Sequence, residues 1–112
     1  MHTHKVKYIS KEQLLEMMEN KEPFTLVEVL AEEDYQKGHL PFAINIPVDQ
    51  LDAQAANRLP DKRQRIVVYC ASFTCLASIG AARKLQSIGY TNVLDYKGGK
   101  QDWAQAGLPL VS

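Results

Sequence analysis

The sequence predicts an α/β protein with a central, mainly parallel sheet of five strands and helices on both faces. Short runs of branched apolar and aromatic residues alternate along the chain with stretches whose apolar residues recur at helical spacing. Strands that alternate with helices are typical of parallel sheets joined by right-handed crossovers. The chain has 112 residues, which is the size of one domain, and we expect residues 1–112 to form it.

Five segments are predicted to be strands because β-branched and aromatic residues dominate them and turn residues bound them. They are residues 6–9, 24–29, 43–46, 66–69 and 92–96. The segment 66–69, IVVY, is the most apolar, so we expect it to be a central strand covered on both faces. Glu28 interrupts the second segment, where a carboxylate is either a solvated strand end or a hydrogen-bond anchor near a site.

Apolar spacing and terminal signals predict five helices between and after these strands. They cover residues 11–20, 31–37, 48–59, 76–88 and 101–106. Ser10 followed by Gln13 is a capping-box pattern, and Gly38 and Gly89 stand where helices commonly end. The apolar residues that recur along the fourth helix are Leu76, Ile79, Ala82, Leu85 and Ile88.

Composition excludes several classes of partner. Thirteen basic residues balance thirteen acidic ones, so we expect neither a nucleic acid nor a membrane as partner. The sequence has no apolar run of about 20 residues and no signal-peptide pattern, which predicts a cytoplasmic protein with reduced cysteines. The two cysteines are too few to bind zinc alone, and His2 and His4 near the terminus are weak candidates to join them. We expect no metal and no cofactor.

Cys70 is the candidate nucleophile because it follows the predicted central strand directly. In parallel sheets, sites lie outside the carboxyl ends of the strands. A helix N-terminus and a ring of loop amides should lower the pKa of this thiol and favour its thiolate. The alternative is that Cys70 is only a small hydrophobic residue of the core. The predicted substrate-binding loop comprises Ala71, Ser72, Phe73, Thr74, Cys75 and Leu76.

The loop lacks a full positive charge, because no Lys, Arg or His lies between Cys70 and Arg83. Its pocket should therefore favour a singly charged sulfur species over a multiply charged anion, with hydrogen bonds available from Ser72, Thr74 and Ser78.

Two further residues leave alternatives open. Cys75 is an apolar residue at the helix start, a resolving thiol that forms a disulfide with Cys70, or an acceptor of sulfur from Cys70. His39 is interpreted as a structural histidine that pins a turn, because nothing in the sequence ties it to Cys70.

Three motifs carry a family resemblance that covers nearly the whole chain. GHLPFAINIP, residues 38–47, is similar to the GHIPGAxNIP of rhodaneses, and YKGGKQDWAQAGLP, residues 96–109, is similar to their LxGGxxxWxxxGxP. VVYC, residues 67–70, resembles their catalytic strand. The chain thus resembles a single-domain rhodanese of the thiosulfate sulfurtransferase superfamily. The resemblance implies a three-layer rhodanese-like fold and a persulfide on Cys70, with loop amides holding the outer sulfur.

The active loop departs from the pattern of this family. The usual loop is CRxGxRS, whereas residues 70–78 read CASFTCLAS, about two residues longer, without arginine and with Phe73 near the glycine position. The usual Asp-x-Arg after the second strand is Glu-Val-Leu at 28–30, and Phe42 replaces a glycine. The missing cations imply weak activity with thiosulfate. They also argue against a phosphatase or arsenate reductase, which needs a loop arginine.

Three functions follow, in decreasing order of support. In the first, Cys70 takes sulfur from a small sulfur donor or a persulfide-bearing protein and passes it to a thiol acceptor. In the second, the protein is a thiol-redox switch that uses a Cys70–Cys75 disulfide. In the third, it is a catalytically idle rhodanese-like binding module.

Overall fold

A five-stranded, wholly parallel sheet forms the centre of the computed structural model, which describes residues 5–112. The strands are β1 (Lys7–Tyr8), β2 (Thr25–Glu28), β3 (Ile44–Asn45), β4 (Ile66–Tyr69) and β5 (Val93–Tyr96). Their order is β1-β5-β4-β2-β3, which confirms the central position predicted for the segment 66–69. His2 and His4 lie outside the described residues.

Helices cover both faces of this sheet, as the sequence predicts. They are α1 (Lys11–Glu19), α2 (Glu32–Lys37), α3 (Leu51–Arg58), α4 (Ala77–Ser87) and α5 (Gly99–Gln105), with a 3₁₀ turn at Val48–Gln50 before α3. Because side chains alternate along a strand, Val68 packs in one core with α3 and α4, while Val67 packs in a second core with α1 and α5. The outcome is a three-layer architecture.

Local signals position several helix ends. Ser10 and Gln13 form the predicted capping box, in which each side chain accepts a hydrogen bond from the other residue's main chain. Gly38 ends α2 with φ of 154°, a conformation that favours glycine. Among the described residues, no helix has the length and apolar character that a membrane crossing requires.

The predicted apolar face of the fourth helix is wrong at its first position. Leu76 is 73% exposed because it still belongs to the loop, and α4 begins one residue later. The buried face of α4 instead consists of Ser78, Ala81, Ala82 and Leu85. A serine therefore lies in the first buried position of this helix.

Candidate active site

Cys70 lies immediately after β4, at the carboxyl edge of the sheet. It is 1% exposed and belongs to the core between the sheet and helices α3 and α4. Strand alternation explains this orientation, because Ile66, Val68 and Cys70 share one face. The thiol thus lies between a fully buried strand and the first turn of α4.

The N-terminus of α5 holds the start of the loop in place. The Lys100 amide donates a hydrogen bond to the Cys70 carbonyl oxygen at 3.1 Å, and the Gln101 amide donates to the Ala71 carbonyl at 2.9 Å. Gly99 has φ of +61°, and a Cβ there would overlap the Cys70 carbonyl oxygen. Gly99, the first residue of α5, therefore permits this close approach to the backbone of Cys70.

The loop returns Cys75 to Cys70 and turns most of its other side chains outward. The Cys75 amide donates to the Ser72 carbonyl at 3.1 Å, closing a turn. The Cys70 thiol in turn donates to the Cys75 carbonyl oxygen, with an Sγ–O distance of 3.6 Å. Phe73 and Leu76, by contrast, are 59% and 73% exposed. Of the residues assigned to the loop, Cys75 is the one whose position changes the chemistry of Cys70.

The two thiols have pKa values shifted in opposite directions. Burial raises the pKa of Cys70, and Cys75 raises it further, although the hydroxyl and amide of Ser78 lower it. The expectation that loop amides leave Cys70 with a lowered pKa is therefore wrong, because desolvation outweighs them. Burial also opposes ionisation of Cys75, but Cys70, the amides of Ala71 and Ala77, and the Lys97 charge together lower its pKa.

Glu28 is a buried hydrogen-bond anchor and not a solvated strand end. Its carboxylate is fully buried, accepts a hydrogen bond from the Tyr69 hydroxyl at 2.8 Å and lies 2.9 Å from Lys100 Nζ. The same hydroxyl accepts a hydrogen bond from the Leu40 amide. Burial raises the pKa of Glu28, whereas Lys100 and Tyr69 lower it. The network joins the ends of β2 and β4 to α5 beneath the loop.

His39 has the structural role that the sequence predicts. Its Nδ1 lies 2.9 Å from the Tyr35 carbonyl oxygen, and its ring stacks on the Tyr35 ring at 3.8 Å. Its backbone forms an antiparallel bridge with Val111. These contacts hold the turn between α2 and β3.

Sequence reasoning missed three charged residues near the thiols. Lys97 and Lys100 follow β5, and Asp95 lies within it, fully buried. An aspartate inside the strand segment VLDY was the available signal for Asp95. Within residues 5–112, no group of three or more His, Cys, Asp or Glu residues is arranged to hold a metal ion.

Known proteins are similar to this chain in sequence and in fold. The family model for the rhodanese-like domain matches residues 10–106. A sulfurtransferase from Allochromatium vinosum is 30% identical over 107 residues, covering 96% of both chains. The HTH-type transcriptional regulator Rv0324 of Mycobacterium tuberculosis is 37% identical over 102 residues, which are 91% of this chain but only 43% of the regulator.

The structural comparison agrees with the sequence comparison. The crystal structure of BH2092 from Bacillus halodurans superimposes with a TM-score of 0.86 at 25% identity, covering 95% of this chain and 77% of that one. The matching family model spans most of the sequence and includes β4, the loop and α5. The chain belongs to the rhodanese-like domain family.

Proposed function

We propose that the protein is a sulfurtransferase that carries a persulfide on Cys70 and passes its outer sulfur to a thiol acceptor. The observation that carries the proposal is the position of Cys70, at the carboxyl end of β4 against the first turn of α4. The α5 amides fix the backbone of this residue from the other side. The sulfur of Cys70 is thus held in a fixed position beside the loop.

The reaction proceeds in two displacements. The Cys70 thiolate attacks the outer sulfur of a donor R–S–SH, the donor's S–S bond breaks, and R–S⁻ leaves. A thiolate acceptor then attacks the outer sulfur of the Cys70 persulfide and releases the Cys70 thiolate. Cys75 is the acceptor already within the loop, and its lowered pKa favours the thiolate that this step needs.

Charge at the site favours a singly charged donor over thiosulfate. Lys97 is the lysine whose charge acts on Cys75, whereas Lys100 is engaged by Glu28. Because the loop itself has no cationic side chain, a dianion gains little on binding. The partners that fit are a small persulfide or a persulfide-bearing protein as donor, and a thiol as acceptor.

Steady-state kinetics with paired donors test this proposal. We expect kcat/KM with a small persulfide to exceed that with thiosulfate by at least about 10-fold, corresponding to about 1.4 kcal/mol. Cys70→Ser should lose both activities, and Cys75→Ser should keep the first displacement. Equal or greater activity with thiosulfate would contradict the assignment of donor class, and full activity of Cys70→Ser would contradict the assignment of the nucleophile.

The contact between the two cysteines favours a redox switch as the second candidate. Cys70 donates its thiol hydrogen to the Cys75 backbone, and each thiol shifts the pKa of the other. Mild oxidation followed by mass spectrometry separates the two functions. A reversible intramolecular disulfide, with no persulfide formed from any donor, would support the switch. A Cys70 that neither oxidises nor takes sulfur would instead indicate the idle binding module.

A further inference from the structure

Two polar side chains are buried on the face of the sheet that Cys70 shares. Ser78 and Asp95 are both 0% exposed. The Ser78 hydroxyl oxygen and both Asp95 carboxyl oxygens have no hydrogen-bond partner among the described residues. Buried polar groups are almost always paired, and a buried charge without a partner is costly. An apolar residue at either position would avoid that cost, so their presence needs a chemical reason.

Strand register places Asp95 on the same face of the sheet as the Cys70 thiol. Asp95 of β5 pairs with Val68 of β4, and Val68 shares its sheet face with Cys70 two residues later. Helix α4 packs against both strands, and Ser78 in its first turn is buried. Ser78 lowers the pKa of Cys70 and also that of Asp95, so this one residue acts on both groups.

Cys70 also needs a route for its proton. Its thiol donates to the Cys75 carbonyl oxygen, which accepts a hydrogen bond but does not hold a proton at neutral pH. The raised pKa of Cys70 keeps the thiol protonated. A sulfur that must attack as a thiolate, and cannot ionise readily by itself, requires a base within reach.

We propose that Asp95 is a proton-positioning residue that takes the Cys70 proton through the Ser78 hydroxyl and holds it while Cys70 carries sulfur. The inference rests on the proposed function. In the first displacement, Cys70 gives its proton to Ser78 Oγ as Ser78 gives its own to the Asp95 carboxylate. The sulfur's electron pair then forms the new S–S bond, and R–S⁻ leaves. In the second displacement, the released Cys70 thiolate recovers the proton from Asp95 along the same path, so the cycle consumes none.

The neighbours of Asp95 suit this task. Burial raises the pKa of Asp95, whereas Ser78 and the charge of Lys97, which follows β5 directly, lower it. Tyr8 of β1 is its partner in strand register, and the Lys97 ammonium lies 6.0 Å from the Tyr8 ring centroid. Cys75 is an ionisable group that acts directly on Cys70. Because burial brings the pKa of the carboxyl closer to that of a thiol, Asp95 is a better base than an exposed aspartate.

The proton path from Cys70 through Ser78 to Asp95 is here called the relay. The pH dependence of Cys70 alkylation tests it separately from sulfur transfer. The background is Cys75→Ser, so that Cys70 is the only thiol, and the reagent is iodoacetamide. With Asp95 present, the rate should rise from the acid side and reach its plateau by neutral pH. Asp95→Asn should move the rise to alkaline pH and slow alkylation at neutral pH by about 100-fold, the low end of general-base effects. Ser78→Ala should change the profile in the same direction.

Controls distinguish the relay from the mere loss of a negative charge and from misfolding of a variant. Glu33→Gln removes an exposed carboxylate and should leave the profile unchanged. A profile for Asp95→Asn that superimposes on its parent overturns the proposal, and so does a shift to lower pH, which indicates only charge repulsion. Circular dichroism verifies the fold of each variant. If Asp95→Asn does not fold, Ser78→Ala decides the question alone, and an unchanged profile for it overturns the relay.

A persulfide donor separates this inference from the function on which it rests. Rapid Cys70 persulfide formation that is equally fast in Asp95→Asn and Ser78→Ala supports the proposed function and contradicts the relay. The expected alkylation profiles without any persulfide would support the relay and contradict sulfur transfer.

Discussion

Lys100 Nζ lies 2.9 Å from the fully buried Glu28 carboxylate, although 72 positions separate the two residues along the chain. The backbone amide of the same lysine donates a hydrogen bond to the Cys70 carbonyl oxygen. One residue therefore satisfies a buried charge and also anchors the active loop. Stability and site geometry are coupled at this point of the fold.

Removal of the Lys100 charge should be strongly destabilising. Lys100→Met leaves Glu28 buried without its cation, which typically costs about 3–5 kcal/mol. The double variant Glu28→Gln/Lys100→Met should recover a large part of that loss, because no uncompensated charge remains. Urea unfolding of the four proteins in the cycle measures the coupling. Lys37→Met, at an exposed lysine, should change stability by no more than about 0.5 kcal/mol. Additive effects in the cycle would contradict the pairing.

Two glycine substitutions separate the effect of backbone strain from the effect of steric overlap with the active loop. Gly99 and Gly107 both have positive φ, +61° and +80°, so alanine at either should cost about 1–2 kcal/mol. Only at Gly99 would the new methyl group overlap the Cys70 carbonyl. Gly99→Ala should therefore be the less stable of the two and should also slow alkylation of Cys70. Gly107→Ala should leave alkylation unchanged, and equal effects of the two substitutions on stability and on alkylation would contradict the packing of Gly99 against the Cys70 carbonyl.

Asp95 should make stability depend on pH. Burial raises the pKa of its carboxyl above the unfolded value of about 3.9, so the folded protein binds this proton more tightly. Its contribution is thus most favourable below the unfolded pKa, and it is lost as pH rises through the folded pKa. The free energy of unfolding of wild type minus that of Asp95→Asn should fall as pH rises through this window. Urea unfolding across the acid range measures it, and a difference that increases with pH would rule it out.

The fold was predictable because its signals are local. IVVY at 66–69 reads as a buried strand, and the Ser10–Gln13 pair is a capping box from sequence spacing alone. The position of Cys70 at the carboxyl edge follows from strand order, since a parallel sheet places its sites there. The family motifs indicate the same arrangement, including the glycine pair at the start of α5.

The chemistry of the site was harder to predict because it depends on tertiary burial. The pKa of Cys70 rises, since the core that surrounds it desolvates the thiolate more than the helix and amides stabilise it. The role of Glu28 is ambiguous from the sequence because its partner Lys100 lies far along the chain. The prediction that Leu76 lies on the apolar face of the fourth helix is wrong because the loop is longer than usual. Residue spacing alone does not locate the first turn of α4. The role of Asp95 depends on Ser78, which belongs to α4, so the sequence of β5 alone does not indicate it.

Mass spectrometry of the Cys70 peptide after treatment with a small persulfide donor tests the central claim most directly. The account predicts a gain of one sulfur atom on Cys70, its loss when a thiol acceptor is added, and no such gain in Cys70→Ser. Sulfur found only on Cys75, or an equal gain in Cys70→Ser, would contradict it.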